Sequence, residues 1–242
     1  MCGITQNLTL LKNHKDIITV SISRTYSDFC NVRLYNYSIQ NNIFFRRVVM
    51  SKQSPVLNEK QLKRVLNSTK MTKFGDRNRL VMVLSYYAGL RACEICSLTV
   101  SDVIDGEGEV KEQVLLKSHQ TKGAKGNTIY LSDYVRKEIA KYVSSNDHLK
   151  QRPAERLIQS QKGGGFSSQT LQNLFKHLYK LVGLDDCSSH SGRRTFITTL
   201  SERGISVRII QELARHSDLS TTQRYIDVSV DKLKNAVEAV WY

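Results

Sequence analysis

The chain has no run of some eighteen apolar residues, so it has no stretch that reads as a membrane span. Its N-terminus lacks the charged, then apolar, then small-residue order of a secretory signal. Cysteine is sparse and odd in number: the five are Cys2, Cys30, Cys93, Cys96 and Cys187. That usage argues against a disulfide framework and for reduced thiols in a cytoplasm. Cys93 and Cys96 form a C-x-x-C, but no second pair exists to complete a zinc site, so both are expected to pack in a helix. Gly163-Gly164-Gly165 lacks the Gly-Lys-Ser/Thr of a nucleotide-binding loop and reads as a hinge or exposed loop. No internal repeat is visible, and neither metal nor cofactor is expected.

Acidic residues are also in deficit. Lys and Arg number 36 against 22 Asp and Glu, which gives a formal charge of +14 in 242 residues. A field of that sign favours polyanions, with nucleic acid the default partner. An apolar share of 40% is enough for a real core.

Order is expected from about Leu57 onward. Residues 1–49 show no sustained period: Leu8 to Leu11 reads as the start of a helix, and 17–23 and 42–49 as strands. This segment is taken as an irregular N-terminal extension or remnant, ahead of one domain over 50–242. Asn58 followed by Gln61 is a helix-capping pattern. The nearly continuous apolar run 79–87 fits either a buried strand or a buried helix. Residues 110–118 and 128–131, separated by turn signals at 121–127, form an antiparallel hairpin with a basic tip. Helices are expected over 132–144, over a stripe of Leu171, Leu174, Phe175, Leu178 and Leu181, over 194–202 and 206–215, and over 230–240. The sum is an α+β fold, mainly α, with one small antiparallel sheet.

The most informative stretch runs from His190 to Tyr225. It opens His190-Ser191-Gly192-Arg193-Arg194 and closes Leu213-Ala214-Arg215-His216-Ser217, then Ser220-Thr221-Thr222-Gln223-Arg224-Tyr225. Two imidazoles, several guanidinium groups and a phenol with few carboxylates suit a phosphate. Arg offers a planar fork to two phosphate oxygens, His bonds an oxygen or moves a proton near neutral pH, and a Tyr hydroxyl is a nucleophile.

These blocks, with Gly89-Leu90-Arg91-Ala92-Cys93-Glu94 upstream, resemble the tyrosine recombinases of the phage-integrase family, from about Pro55 to the last residue. The resemblance implies the breaking–rejoining catalytic fold and site-specific recombination through a 3′-phosphotyrosine, without metal or ATP. It implies that Arg91 and Arg193 clamp a scissile phosphate, His216 adds a hydrogen bond and Tyr225 attacks. His190 would receive the phenolic proton and Lys122 would protonate the leaving 5′ oxygen. Lys125 competes with Lys122 for that last role, and Lys122, which precedes the turn, is preferred. Glu94 is read as the acid that orients a nearby cation, and Arg194, Arg215 and Arg224 as phosphate contacts. Gly192 stands where the family commonly has Leu, and Arg215 where it commonly has Gly.

Expected partners are double-stranded DNA recombination sites, a homotetramer on paired sites, and possible DNA-bending accessory proteins, with no membrane. The expected location is the DNA of a prokaryotic or viral host's cytoplasm. A tail helix bearing Leu233, Ala236, Val237 and Val240 would, as in relatives, dock on a neighbouring protomer. Two other classes fit the same residues: a non-catalytic basic DNA-binding protein, and a type IB topoisomerase.

Overall fold

A computed structural model describes residues 4–12, 16–24, 53–120, 126–161 and 163–226, together with 234, 237 and 238. The chain divides into two compact units, Met1–Gln53 and Ser54–Tyr242.

In the first unit β1 (Ile4–Lys12) pairs antiparallel with β2 (Asp16–Arg24), with Leu8 opposite Val20 and Leu10 opposite Ile18. The helix expected from Leu8 is therefore a strand. Apolar residues at 8 and 10, and again at 18, 20 and 22, alternate with polar ones, and that period of two belongs to a strand. The strand expected over 17–23 lies within β2, while the one over 42–49 falls outside the described residues.

The second unit is mainly helical. It opens with α1 (Glu59–Thr69), whose start is fixed by a reciprocal cap: the Asn58 side chain accepts from the Gln61 N–H, and Gln61 accepts from the Asn58 N–H. Next, α2 (Gly75–Tyr87) resolves the ambiguous apolar run as a helix. Leu80, Val81, Met82, Val83 and Leu84 are all buried, so the middle of this helix leaves no face for water. A helix that is apolar all round belongs in the middle of a core, and α2 packs against α1 and several later elements. After it come α3 (Ala92–Ser97) and the single turn α4 (Val100–Val103).

The hairpin is present as β3 (Gln113–Leu116) and β4 (Asn127–Tyr130), with Val114 opposite Ile129 and Leu116 opposite Asn127. Val114 and Leu116 face the core, while Gln113 and Leu115 face water. Just past β3, the buried Gln120 amide donates to the Ser97 carbonyl at 3.0 Å and to Asp102 Oδ2 at 2.7 Å, which ties the hairpin to α3 and α4. The tip, with both Lys122 and Lys125, lies outside the described residues.

Then follow α5 (Asp133–Ser144), the turn α6 (Asp147–Lys150) and α7 (Ser168–Lys180). The triple glycine forms the end of a turn bridged between Gln159 and Gly165, and Ser167 caps α7 by accepting from Thr170 N–H. The last described elements are α8 (Ser189–Glu202), α9 (Val207–Ala214) and α10 (Leu219–Gln223). Helix α8 begins five residues before the sequence pattern places it, because Ser188 and Ser191 form a reciprocal cap. It crosses α2 closely: a methyl group on Gly192 would lie 2.3 Å from Ser85 Oγ. Gly192 is thus a contact requirement between two helices rather than a flaw in one.

The proposed tail helix over 230–240 lies outside the described residues, apart from helical positions Lys234, Val237 and Glu238. Among the described residues no helix is long and apolar enough to cross a membrane.

Candidate functional site

Four of the six expected site residues meet where α3, α8, α9 and α10 converge. Arg91 is the N-cap of α3, so its side chain stands at the mouth of a turn. Its backbone N–H donates to Glu94 Oε2 at 2.8 Å and its Nη1 to Glu94 Oε1 at 2.7 Å. Arg193 lies on the inner face of α8 and is buried. Its Nη1 donates to the Gly89 carbonyl at 2.6 Å, and its Nη2 to the Ala214 carbonyl. Those bonds fix the end of α9 and the α2–α3 turn against α8.

That turn needs Gly89 twice over. Its φ is +61°, and a Cβ there would meet the Phe196 ring at 2.5 Å. Its carbonyl is the shared acceptor of Arg193 and Arg215.

His216 follows the left-handed cap of α9. Its Nδ1 lies 2.9 Å from Thr222 Oγ1, and its carbonyl accepts from Gln211 Nε2 at 3.1 Å. Its ring stacks on Tyr225, with centroids 6.0 Å apart and planes 19° from parallel. Tyr225 also takes the Arg194 guanidinium over its ring at 5.5 Å. Beneath Tyr225 sits a small apolar cluster of Ile197, Ile210 and Ala214, with Phe196 and Leu200 beside it. His190 lies in the first turn of α8, exposed, with its N–H capped by Ser188 Oγ at 3.2 Å. It stands three residues before Arg193 and so on the same side of the helix. Lys122, the sixth, falls outside the described residues.

Three guanidinium groups, those of Arg91, Arg193 and Arg215, surround the one carboxylate of Glu94. Burial resists ionisation of Glu94, but Arg215, Arg193 and Arg91 outweigh it and hold the carboxyl below its usual range. Burial, then the cations of Arg91 and Arg215, pull Arg193 down to about 9, still charged at neutral pH. Burial followed by Arg193, Arg91 and Arg215 depresses His216 to about 4. The site thus carries an excess of positive charge, and burial together with that charge keeps His216 neutral.

Sequence reasoning missed two participants and misplaced one. Thr222 is fully buried and holds the imidazole, although it sits inside the recognised block three residues before Tyr225. Gly89 was named only as the first residue of the block around Arg91. Arg215 was expected to touch phosphate, yet its side chain is 2% exposed and bonded to Glu94 at 2.9 Å. Glu94, fully buried, is placed as an orienting partner of cations. Among the described residues no group of His, Cys, Asp and Glu has the arrangement of a metal site.

The fold is that of tyrosine-recombinase catalytic domains. The chain resembles the crystal structure of XerA recombinase (TM-score 0.62, 24% identity, covering 78% of this chain and 66% of that one). It also resembles XerH site-specific recombinase bound to difH substrate (TM-score 0.61, 21% identity, 83% and 58%), and the Tn1549 transposon integrase in complex with circular intermediate DNA (TM-score 0.60, 19%, 78% and 68%).

The phage integrase family model matches residues 55–232, and the chain belongs to that family. Tyrosine recombinase XerA of Thermococcus kodakarensis is 33% identical over 185 residues, which is 75% of this chain and 61% of the relative. Tyrosine recombinase XerD of Oceanobacillus iheyensis is 31% identical over 188 residues, 76% and 61%. The chain thus spans about three-fifths of the length of these curated relatives.

Proposed function

We propose that this protein is a site-specific DNA recombinase that breaks and rejoins DNA through a covalent 3′-phosphotyrosine at Tyr225. The observation that carries the reading is the cluster itself: a phenol stacked on a neutral imidazole, beside guanidinium groups that outnumber their carboxylate.

A phosphodiester is anionic and repels nucleophiles, and fixed cations aimed at the developing charge lower that barrier. Arg91 and Arg193 supply that charge to the non-bridging oxygens. His216 is neutral, and in the tautomer whose Nδ1 accepts from the Thr222 hydroxyl its Nε2–H is the donor to a phosphate oxygen. The Tyr225 oxygen attacks phosphorus, the P–O5′ bond breaks and the strand end leaves as a 5′ hydroxyl. His190, on the exposed first turn of α8, takes the phenolic proton. Lys122 gives a proton to the leaving oxygen, the role that the family resemblance assigns to it. The new phosphotyrosine conserves the energy of the broken linkage, so another strand's 5′ hydroxyl reseals it without ATP.

In this reading four copies act on two double-stranded sites, and DNA-bending proteins assist where the site requires them. Residues 50–242 form the catalytic domain, with 1–49 as an extension to it. The enzyme acts on DNA in the cytoplasm of its host cell.

The test is incubation with nicked duplexes drawn by affinity from a randomised pool and from DNA bordering the coding sequence, in EDTA. The full chain forms a detergent-stable DNA adduct. Tyr225→Phe binds the same duplex and forms none. A stable adduct with Tyr225→Phe, or adducts that vanish in EDTA, would overturn the mechanism.

A further inference from the structure

Arg215 is the one non-glycine residue with positive φ among the described residues, at φ 54° and ψ 49°. Glycine adopts that conformation without penalty and arginine does not. A side chain kept there at such a cost needs a task, and the contacts supply one. The Arg215 guanidinium turns inward and is 2% exposed. Its Nη1 donates to the Leu213 carbonyl at 2.8 Å, and its Nη2 to the Gly89 carbonyl at 3.0 Å and to Glu94 Oε2 at 2.9 Å. Its own carbonyl accepts from Arg91 Nη2 at 3.2 Å.

We propose that Arg215 is a positioning residue of this site, which grips Glu94 and the Gly89 carbonyl so that Arg91 and Arg193 hold fixed places beside the phosphate. The proposal rests on the recombinase reading above. Arg215 reaches Arg91 by two routes, through the shared Glu94 carboxylate and through its own carbonyl. It reaches Arg193 through the Gly89 oxygen that both guanidiniums share. It also offsets the charge of Glu94. Without it, that carboxylate would cancel Arg91, and the excess positive charge of the cluster would shrink by one. A glycine at 215 would relax the backbone and lose the guanidinium contacts to Glu94, Gly89 and Leu213, keeping only the carbonyl to which Arg91 donates.

The test uses the full chain as wild type, R215G and R215K, with folding checked by denaturant titration. Two readouts are taken: single-turnover adduct formation on a nicked duplex over a range of DNA concentrations, and the His216 titration followed by NMR without DNA. Positioning predicts that R215G slows adduct formation at saturating DNA by about tenfold or more, while the half-saturating DNA concentration moves less than about threefold. R215K, which keeps the charge but not the fork, falls between. His216 titrates about half a pH unit or more higher in R215G, because a neighbouring cation is gone, and stays near the wild-type value in R215K. If R215G does not fold, R215K decides on the same split of rate from half-saturation.

A wild-type rate in either folded variant overturns the proposal. So does a loss confined to DNA affinity, which marks an ordinary phosphate contact. If wild type itself forms no adduct, the recombinase reading fails, and the His216 titration alone decides: a rise in R215G upholds the Arg215 network and no rise overturns it.

Discussion

His216 shows how burial and charge set the state of one residue. An exposed imidazole titrates near about 6.5, whereas this one is depressed to about 4 by burial and then by Arg193, Arg91 and Arg215. The sign follows directly. Between those two values the unfolded chain binds a proton that the folded chain refuses, so stability is lost as pH falls through that window. His216 is half-buried, so solvent screening trims the effect. NMR titration of the free protein should show His216 uncharged down to about pH 4, and inorganic phosphate should raise its pKa by neutralising the arginines. A His216 that titrates near about 6.5 in the free protein would contradict the electrostatics described here.

At the scale of elements, the crossing of α2 and α8 is where local preference and packing disagree. Helix propensity alone favours Gly192→Ala by about 1 kcal/mol. The added methyl would meet Ser85 Oγ at 2.3 Å, Ser85 Cβ at 3.0 Å and the Ser85 carbonyl carbon at 3.3 Å, on a fully buried residue. Overpacking of that kind costs about 1–3 kcal/mol, and the clash wins. Gly192→Ala should therefore lower the midpoint of denaturant unfolding; a higher midpoint would mean that the helices part freely.

The same scale shows what the sequence makes legible. The Asn58–Gln61 cap, the β3–β4 hairpin and the stripe of α7 are set by neighbours in sequence and are read from them, except that Leu181 caps α7 and is exposed. The run over 79–87 is undecided by pattern because residues 80–86 are buried on every side of the helix and show no periodicity. The start of α8 is hidden by Ser189, Ser191 and Gly192, which are weak helix formers in isolation. In the first unit the second strand is read from its alternation, while the first is misread as a helix start because Leu10 and Leu11 in succession break the period of two. At the site, the residue types and spacing pick out the basic cluster. The inward turn of Arg215 depends on Glu94 and Gly89, more than a hundred residues away.

The whole molecule carries a formal +14, and the candidate site is its concentrated form. Lysines and arginines that neutralise phosphates release condensed counterions, so affinity for DNA should fall steeply and log-linearly with salt. A fluorescence titration between about 50 and 200 mM salt measures the slope. A flat response would rule out an interface dominated by phosphates.

The central claim is that Tyr225 becomes joined to a 3′ phosphate of DNA. The most direct measurement is mass spectrometry of the trapped adduct after nuclease and protease digestion. The account predicts one modified peptide, with a nucleotide 3′-phosphate on the Tyr225 oxygen and the other ten tyrosines unmodified. Modification at another tyrosine, a 5′ phosphate on the peptide, or free strand breaks with no modified residue would contradict it.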